Sequence, residues 1–231
     1  SNLTDRHVER GLSAGNAIDR IFDTTLAMGG PIMRNKVWFF MTGRYFSVNN
    51  FIANTVQDDG SRGLDDQYIK SGLGRLTWQI SNSNKLSAYF DEIDKYRGHD
   101  MQSNEDPETA SLQWFSPAYH TAALKYTSTL SNAMLFEAGY SRNLEYYTNS
   151  YQDGVEQPRF TSGWLAGASR LESDLGGRTT AATAQNTQSP ERHTMQASLT
   201  YLWGSHSFKA GVQHTWGDFW HTVYANADLT Q

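Results

Sequence analysis

Four hairpins with alternating side chains recur along this chain. In the clearest one, apolar residues occupy every second position of 75–80 and again of 85–91, and the polar residues 81–84 separate the two runs. A two-residue period of this kind is typical of strands that have one apolar face. The turns of the other hairpins are predicted at 29–36, 128–132 and 204–206. The chain is therefore predicted to be all-β, with about eight antiparallel strands.

The connections between these hairpins are long, polar and without a period, at 48–67, 97–118 and 143–193. Short turns and long connections therefore alternate. Compact soluble domains rarely contain several loops longer than about 12–15 residues, whereas outer-membrane barrels combine short periplasmic turns with long extracellular loops. The chain is predicted to form part of an antiparallel transmembrane β-barrel, with strands of about 9–11 residues.

Composition narrows the possible classes of protein further. Hydrophobic residues make up 38%, charged residues 19% and aromatic residues 13% of the chain, and the mean hydropathy is −0.61. Disordered chains carry more charge and fewer aromatic residues. The net charge of −5 argues against a nucleic-acid partner. The sequence has no cysteine for a disulfide or a thiolate metal site and no run of about 18 apolar residues for a transmembrane helix. A folded β protein is the class that remains.

Aromatic residues concentrate at the two ends of the predicted strands, near the short turns and near the long connections. Rings at both strand ends are expected where a barrel meets the lipid headgroups. The aromatic core of a soluble β-sandwich is the alternative explanation. The residues predicted to lie at the membrane interface are Phe39, Tyr45, Trp78, Phe90, Tyr140 and Tyr201.

Strand positions that alternate with the apolar ones are predicted to face the lumen of the barrel. This set consists of Trp38, Phe40, Arg44, Arg75, Lys125, Glu137 and Lys209. Trp38 and Phe40 are unusual members, because they share the parity of Arg44 and yet are apolar. A wide, empty lumen would not favour these two rings, whereas a lumen filled by a folded domain would.

Two stretches of the sequence resemble a known family of membrane barrels. The stretch "LAMGGPIMRNKVWFF" at 26–40 resembles the segment that opens the barrel of TonB-dependent transporters, particularly of the Oar-like group. The stretch "RLTWQISNSNKLSAYFD" at 75–91 is similar to a hairpin of the same barrels, and "LKYTSTLSNAMLFEAGYSR" and "GSHSFKAGVQHTWG" are similar to later hairpins in style. The resemblance covers residues 19–217.

The resemblance implies a 22-stranded barrel in the bacterial outer membrane, plugged by an N-terminal domain. Such a barrel takes up a scarce ligand (a siderophore, glycan or peptide) with energy passed on by the TonB complex. Residues 1–18 would then be an extracellular loop, 19–217 four hairpins and 218–231 the start of a further extracellular loop. The plug and the C-terminal strands are expected outside this chain. The implied partners are outer-membrane lipid, the TonB complex through missing parts of the chain, and a surface lipoprotein or extracellular ligand.

No motif of an enzyme, a cofactor site or a metal site is found, so no catalytic role is predicted. Three aromatic residues, Trp114, Phe115 and Trp164, fall in predicted long loops and are the candidate ligand contacts, with packing inside the loops as the alternative. Two other functions stay open. Eight strands could close as a small outer-membrane barrel that acts as an adhesin or structural protein, or the chain could be a soluble β-sandwich that binds carbohydrate.

Overall fold

One antiparallel sheet of eight long strands dominates the structure, a computed structural model that describes residues 3–12 and 14–228. The strands follow one another in the sheet in chain order, and a short pair, β7 and β8, forms a separate hairpin. The elements are α1 (Asp5–Glu9), β1 (Ala17–Met33), β2 (Val37–Val56), β3 (Arg62–Ser81), β4 (Asn84–Asp100), β5 (Leu112–Ser131), β6 (Met134–Tyr151), α2 (Ser162–Ala166), β7 (Arg170–Glu172), β8 (Arg178–Thr180), β9 (Ala184–Trp203) and β10 (His206–Ala225). The predicted all-β, antiparallel fold with eight main strands is confirmed.

Short turns join the strands of each hairpin, at 34–36, 82–83, 132–133 and 204–205. The first turn is shorter than the predicted 29–36, because Gly29 and Gly30 pair with Phe40 and Phe39 inside the sheet. A Cβ on Gly29 would lie 2.9 Å from the backbone oxygen of Phe39. The glycine at this position therefore permits a close approach of two strands. The turn itself contains Asn35, whose φ of 61° lies in the left-handed region. The turn predicted at 128–132 also moves, because β5 runs on to Ser131.

The eight main strands contain 17–20 residues, and the prediction of 9–11 was wrong. The connections shrink accordingly to 57–61, 101–111 and 152–183. Backbone pairing continues where neither face of a strand is apolar, so the two-residue period ends before the strand does. The loops predicted at 1–18 and 218–231 become shorter for the same reason, because β1 begins at Ala17 and β10 ends at Ala225. Residues 1, 2, 13 and 229–231 of those predicted loops lie outside the described residues.

The sheet has two chemically different faces. The register sets Leu76 opposite Ala88 and Trp78 opposite Leu86, so apolar side chains of neighbouring strands share one face, called the apolar face here. The other face is called the polar face. Side chains of the apolar face include Phe22, Leu26, Phe39, Met41, Tyr45, Tyr68, Leu76, Trp78, Leu86, Phe90, Leu124, Tyr126, Phe136, Tyr140, Met195, Tyr201, Phe208, Val212 and Trp216. Many of them are exposed, Leu26 by 75% and Val212 by 76%.

The buried apolar residues lie at the opposite end of the sheet from the short turns. They are Ala53, Met101, Ala110, Val155, Ala168, Ala181, Ala182 and Ala227. At this end, the connection 152–183 folds onto the connection 101–111: the backbone N–H of Asp106 donates to the oxygen of Thr179, and Arg178 forms a 3.0 Å ion pair with Asp106. The long connections thus form a packed layer, called the connection layer here. No helix among residues 3–12 and 14–228 is long and apolar enough to cross a membrane.

Candidate functional site

A row of aromatic rings crosses five neighbouring strands on the apolar face, on the side of the connection layer. The centroids of successive rings lie 5.9, 6.3, 5.3 and 6.4 Å apart. The rings are those of Phe22, Tyr45, Tyr68, Tyr96 and Phe115. A continuous row of mainly tyrosine rings is the arrangement that membrane barrels have at the lipid headgroups.

The row continues on the last three long strands with histidine and tryptophan. The ring of Tyr140 stacks on His193, and its hydroxyl lies 2.7 Å from His193 Nδ1. His193 in turn stacks on Trp216 with 5.2 Å between centroids. On β4 and β5, Phe90 stacks on His120. The sequence predicted Phe90 and Tyr140 at the interface but not the histidines, which only the strand register identifies as their neighbours.

A second group of rings lies on the apolar face close to the short turns. It contains Phe39, Trp78, Tyr126, Phe136 and Tyr201. Tyr68 of the first row and Trp78 of the second group lie on β3 ten positions apart (68 to 78). Ten residues of strand span about 33 Å, which corresponds to about 25 Å across a membrane when strands tilt by about 40°. This is the height of the apolar band of an outer-membrane barrel.

Two of the predicted ligand contacts lie in a strand and not in a loop. Trp114 and Phe115 belong to β5, and the interpretation of both as loop residues was wrong. Phe115 lies opposite Tyr96 and completes the aromatic row of the apolar face, because a register shift after Phe115 changes the parity of β5. Trp114 lies on the polar face, where Lys95 Nζ is 5.4 Å from its ring centroid and the ring of Tyr147 is 5.7 Å away.

Trp164 does lie in a long connection, within α2. It lines a cavity of about 220 Å³ together with Tyr151, Arg159, Tyr224 and Asp228. A larger cavity of about 590 Å³ lies between the two longest connections and is lined by Asp106, Asp153, Arg170 and small residues. The connection layer therefore has room for small ligands. Among the described residues, no group of three or more His, Asp or Glu side chains could hold a metal ion.

The polar face carries ion pairs along its whole length. Arg44 makes two hydrogen bonds to the Asp23 carboxylate, at 2.9 and 2.7 Å. Glu137 lies between two cations, with Lys125 Nζ at 2.8 Å and Lys209 Nζ at 3.1 Å. The other predicted lumen residues, Trp38, Phe40 and Arg75, lie on the same face. Charged and hydrogen-bonded side chains at this density need water or a polar partner, so the polar face cannot face lipid.

Two acidic residues anchor the strand ends beneath the connection layer. Asp65, 3% exposed at its side chain, accepts hydrogen bonds of 2.7 and 2.6 Å from Arg97. Next to it, Asp66 Oδ1 lies 2.6 Å from His99 Nδ1. This hydrogen bond is the main cause that lowers the pKa of Asp66 and raises the pKa of His99, while burial of each group acts in the opposite direction.

The pair of Asp66 and His99 predicts a pH dependence of the connection layer. The pKa of His99 is raised from 6.5. Its contribution to the stability of the connection layer is therefore complete below that pH and is lost as the pH rises through the higher pKa of the folded state. The contribution of Asp66, whose pKa is lowered from 3.8, is lost only in strong acid. We expect proteolysis of residues 97–111 to accelerate as the pH rises above 6.5. The variant His99→Gln should lack this acceleration, and an unchanged pH profile in the variant would contradict the assignment.

The fold is similar to a solved structure, the outer membrane transporter YddB from Escherichia coli, with a TM-score of 0.56 and 14% sequence identity. The match covers 87% of this chain and 26% of that transporter, so this chain spans about a quarter of its length. At this identity the likeness shows the fold alone: the eight-stranded sheet has the fold of part of an outer-membrane transporter barrel. No protein-family profile and no curated protein sequence matches this chain. Membership of the Oar-like group stays a prediction.

Proposed function

We propose that this chain forms about eight strands of a 22-stranded outer-membrane transporter, and that the complete barrel takes up a scarce ligand such as a siderophore, glycan or peptide. The observation that carries the proposal is the apolar face, which has an apolar band about 25 Å high between two groups of aromatic rings. The ion-paired polar face on the other side of the same strands supports a water-filled or protein-filled lumen. The likeness in fold to an outer membrane transporter supports the same function.

In this proposal the chain is a wall and a ligand-gathering surface, and it has no catalytic role. The apolar face contacts outer-membrane lipid. The connection layer faces outward, and its cavities beside Trp164 and Asp106 receive the extracellular ligand or a surface lipoprotein that delivers it. Energy from the TonB complex enters through parts of the transporter other than this chain.

The proposed orientation can be tested by labelling intact cells with a membrane-impermeant thiol reagent. Ser173 lies in the connection layer and Ser83 lies in a short turn, and both side chains are exposed. Because the chain has no cysteine, Ser173→Cys and Ser83→Cys each introduce its single thiol. We expect modification of Ser173→Cys in intact cells and of Ser83→Cys only after the outer membrane is opened. Labelling of Ser83→Cys alone in intact cells would invert the topology.

Transport can be tested by short-term uptake into cells that contain or lack the protein with this chain. Labelled ferric chelates, oligosaccharides and peptides would be supplied separately at low concentration. We expect one of these classes to accumulate only in cells that contain the protein, and accumulation to stop when a protonophore removes the energy source of the TonB complex. Equal accumulation of all three classes in both cell types would favour the adhesin or structural barrel.

A further inference from the structure

The long connections carry far more acid than base. Residues 57–61, 101–111 and 152–183 contain nine carboxylates and three arginines, and no lysine or histidine. Each arginine pairs with a carboxylate, and the pairs are Arg159 with Asp228, Arg170 with Glu172 and Arg178 with Asp106. Across the described part of these connections every cation is therefore already neutralised, and the excess of carboxylates repels an anionic ligand. The connection layer suits a ligand that is neutral or positively charged.

The cavity of about 220 Å³ beside Trp164 has walls of mixed character. Its aromatic residues are Tyr151, Trp164 and Tyr224, and the amides on its wall include Gln157 and Gln185. The ion pair of Arg159 and Asp228 also borders it. Arg159 donates one N–H to Asp228 at 2.8 Å, and a guanidinium has several more. The cavity thus offers aromatic surface and spare hydrogen-bonding groups side by side.

Hydrogen bonds between distant parts of the chain hold this cavity in shape. The side-chain amide of Asn226, buried just after β10, donates 2.9 Å hydrogen bonds to the backbone oxygens of Gly167 and Ala182. The hydroxyl of Tyr151 donates to the backbone oxygen of Tyr224 at 3.0 Å. The connection that carries the tryptophan is therefore tied to the end of β10 before any ligand binds, which lowers the entropic cost of binding.

An exposed ring stands next to Trp164. Phe160 is 86% exposed, and its ring centroid lies 5.1 Å from that of Trp164 in an edge-on arrangement. The backbone of Phe160 has φ of 64°, which is rare for a bulky residue. A tight turn accompanies this conformation, in which the Thr161 hydroxyl donates to the backbone oxygen of Pro158 at 2.7 Å. Strained residues concentrate at ligand contacts, and here the strained turn keeps Phe160 beside the ring that lines the cavity.

We propose that the cavity beside Trp164 is a subsite for one sugar ring of a neutral oligosaccharide. This assignment rests on the proposed function, because the connection layer must face outward for a glycan to reach it. Trp164 stacks on the apolar C–H face of the sugar. The sugar hydroxyls, which both donate and accept, bond to Gln157, Gln185 and Arg159. The cavity is smaller than the roughly 300–1,000 Å³ of pockets for drug-sized ligands, so it accepts a single ring and excludes a ferric chelate.

Binding of the complete protein, in detergent, to an array of defined probes tests this subsite. The array carries neutral oligosaccharides of glucose, galactose and mannose, sulfated forms of the same oligosaccharides, and basic peptides. We expect neutral oligosaccharides to bind and their sulfated forms to be rejected, because the carboxylates of the connection layer repel sulfate. Binding of a neutral oligosaccharide should not weaken at high salt, since no ion pair forms.

Two substitutions at Trp164 and one at its neighbour locate the binding. Trp164→Ala should weaken binding of the best neutral oligosaccharide by about tenfold or more, because the stacking ring is lost. Trp164→Phe keeps a ring and should lose much less. The matched control is Leu165→Ala, at the next position of α2, where the side chain is 63% exposed and lies outside the cavity wall. It should leave binding within about twofold.

Binding of sulfated oligosaccharides or basic peptides alone, no oligosaccharide binding by the folded protein, or equal losses with Trp164→Ala and Leu165→Ala would overturn the subsite. Failure of the proposed function would appear separately, in the uptake experiment. Binding of a neutral oligosaccharide without energised uptake would retain the subsite and refute transport. Energised uptake of a ferric chelate or a peptide, without oligosaccharide binding, would retain transport and refute the subsite.

Discussion

Val212→Arg is expected to destabilise the membrane-inserted protein by about 2–4 kcal/mol, the cost of an arginine on the lipid face near the middle of the bilayer. Val212 lies on the apolar face of β10, four positions from Phe208 and four from Trp216, and thus midway between the two aromatic groups. An arginine side chain at this position cannot reach either headgroup region without distortion of the bilayer. Unfolding by denaturant in lipid vesicles, followed by tryptophan fluorescence, measures the change in free energy.

The neighbouring Gln213 provides the matched control. It lies on the polar face of β10, opposite Gln196, and lines the same cavity as Lys125 and Lys209. Gln213→Arg introduces the same side chain at nearly the same membrane depth, but on the opposite side of the sheet. It should change the free energy of unfolding by well under about 1 kcal/mol, as exposed polar substitutions do. Equal costs for both variants would refute the assignment of the two faces.

Asp65→Ala is expected to lower the free energy of local opening at the connection layer by about 2–3 kcal/mol. The substitution removes both hydrogen bonds from Arg97 and leaves its guanidinium partly buried. The loss stays below that of a fully isolated charge, because Arg97 is 30% exposed and keeps a 2.6 Å contact with Asp100. Hydrogen exchange of the amides at 62–67 and 95–100 measures local opening directly.

Two further variants separate the buried charge from the lost contact. Asp23→Ala breaks a pair of the same bidentate geometry, but Asp23 and Arg44 are both exposed, so its effect should be far smaller. Asp65→Ala/Arg97→Met removes the unpaired charge as well and should recover much of the stability. An effect of Asp23→Ala as large as that of Asp65→Ala would contradict the importance of burial.

The hairpins and their two faces could be predicted because the two-residue period is a local property. Each side chain at 75–80 and 85–91 is apolar or polar according to the medium on its own side of the sheet, so alternation alone identifies which residues share a face. The same reasoning assigned Trp38 and Phe40 to the face of Arg75, and the register agrees. The lengths of the strands were not predictable in this way. Beyond the apolar band both faces meet water, and the pattern disappears although backbone pairing continues.

The sequence by itself determined the fold class, the four hairpins and the chemical difference between the faces. Only the tertiary structure decided the rest. A register shift in β5 sends Phe115 to the apolar face and Trp114 to the polar face. In the connection 152–183, Ala181 and Ala182 are buried and their backbone N–H groups donate to Thr109, far away in the chain. The alternation of apolar and polar residues is a local pattern, because each side chain suits the medium on its own side of the strand. Bulges and loop packing depend on contacts between distant residues, which no local pattern records.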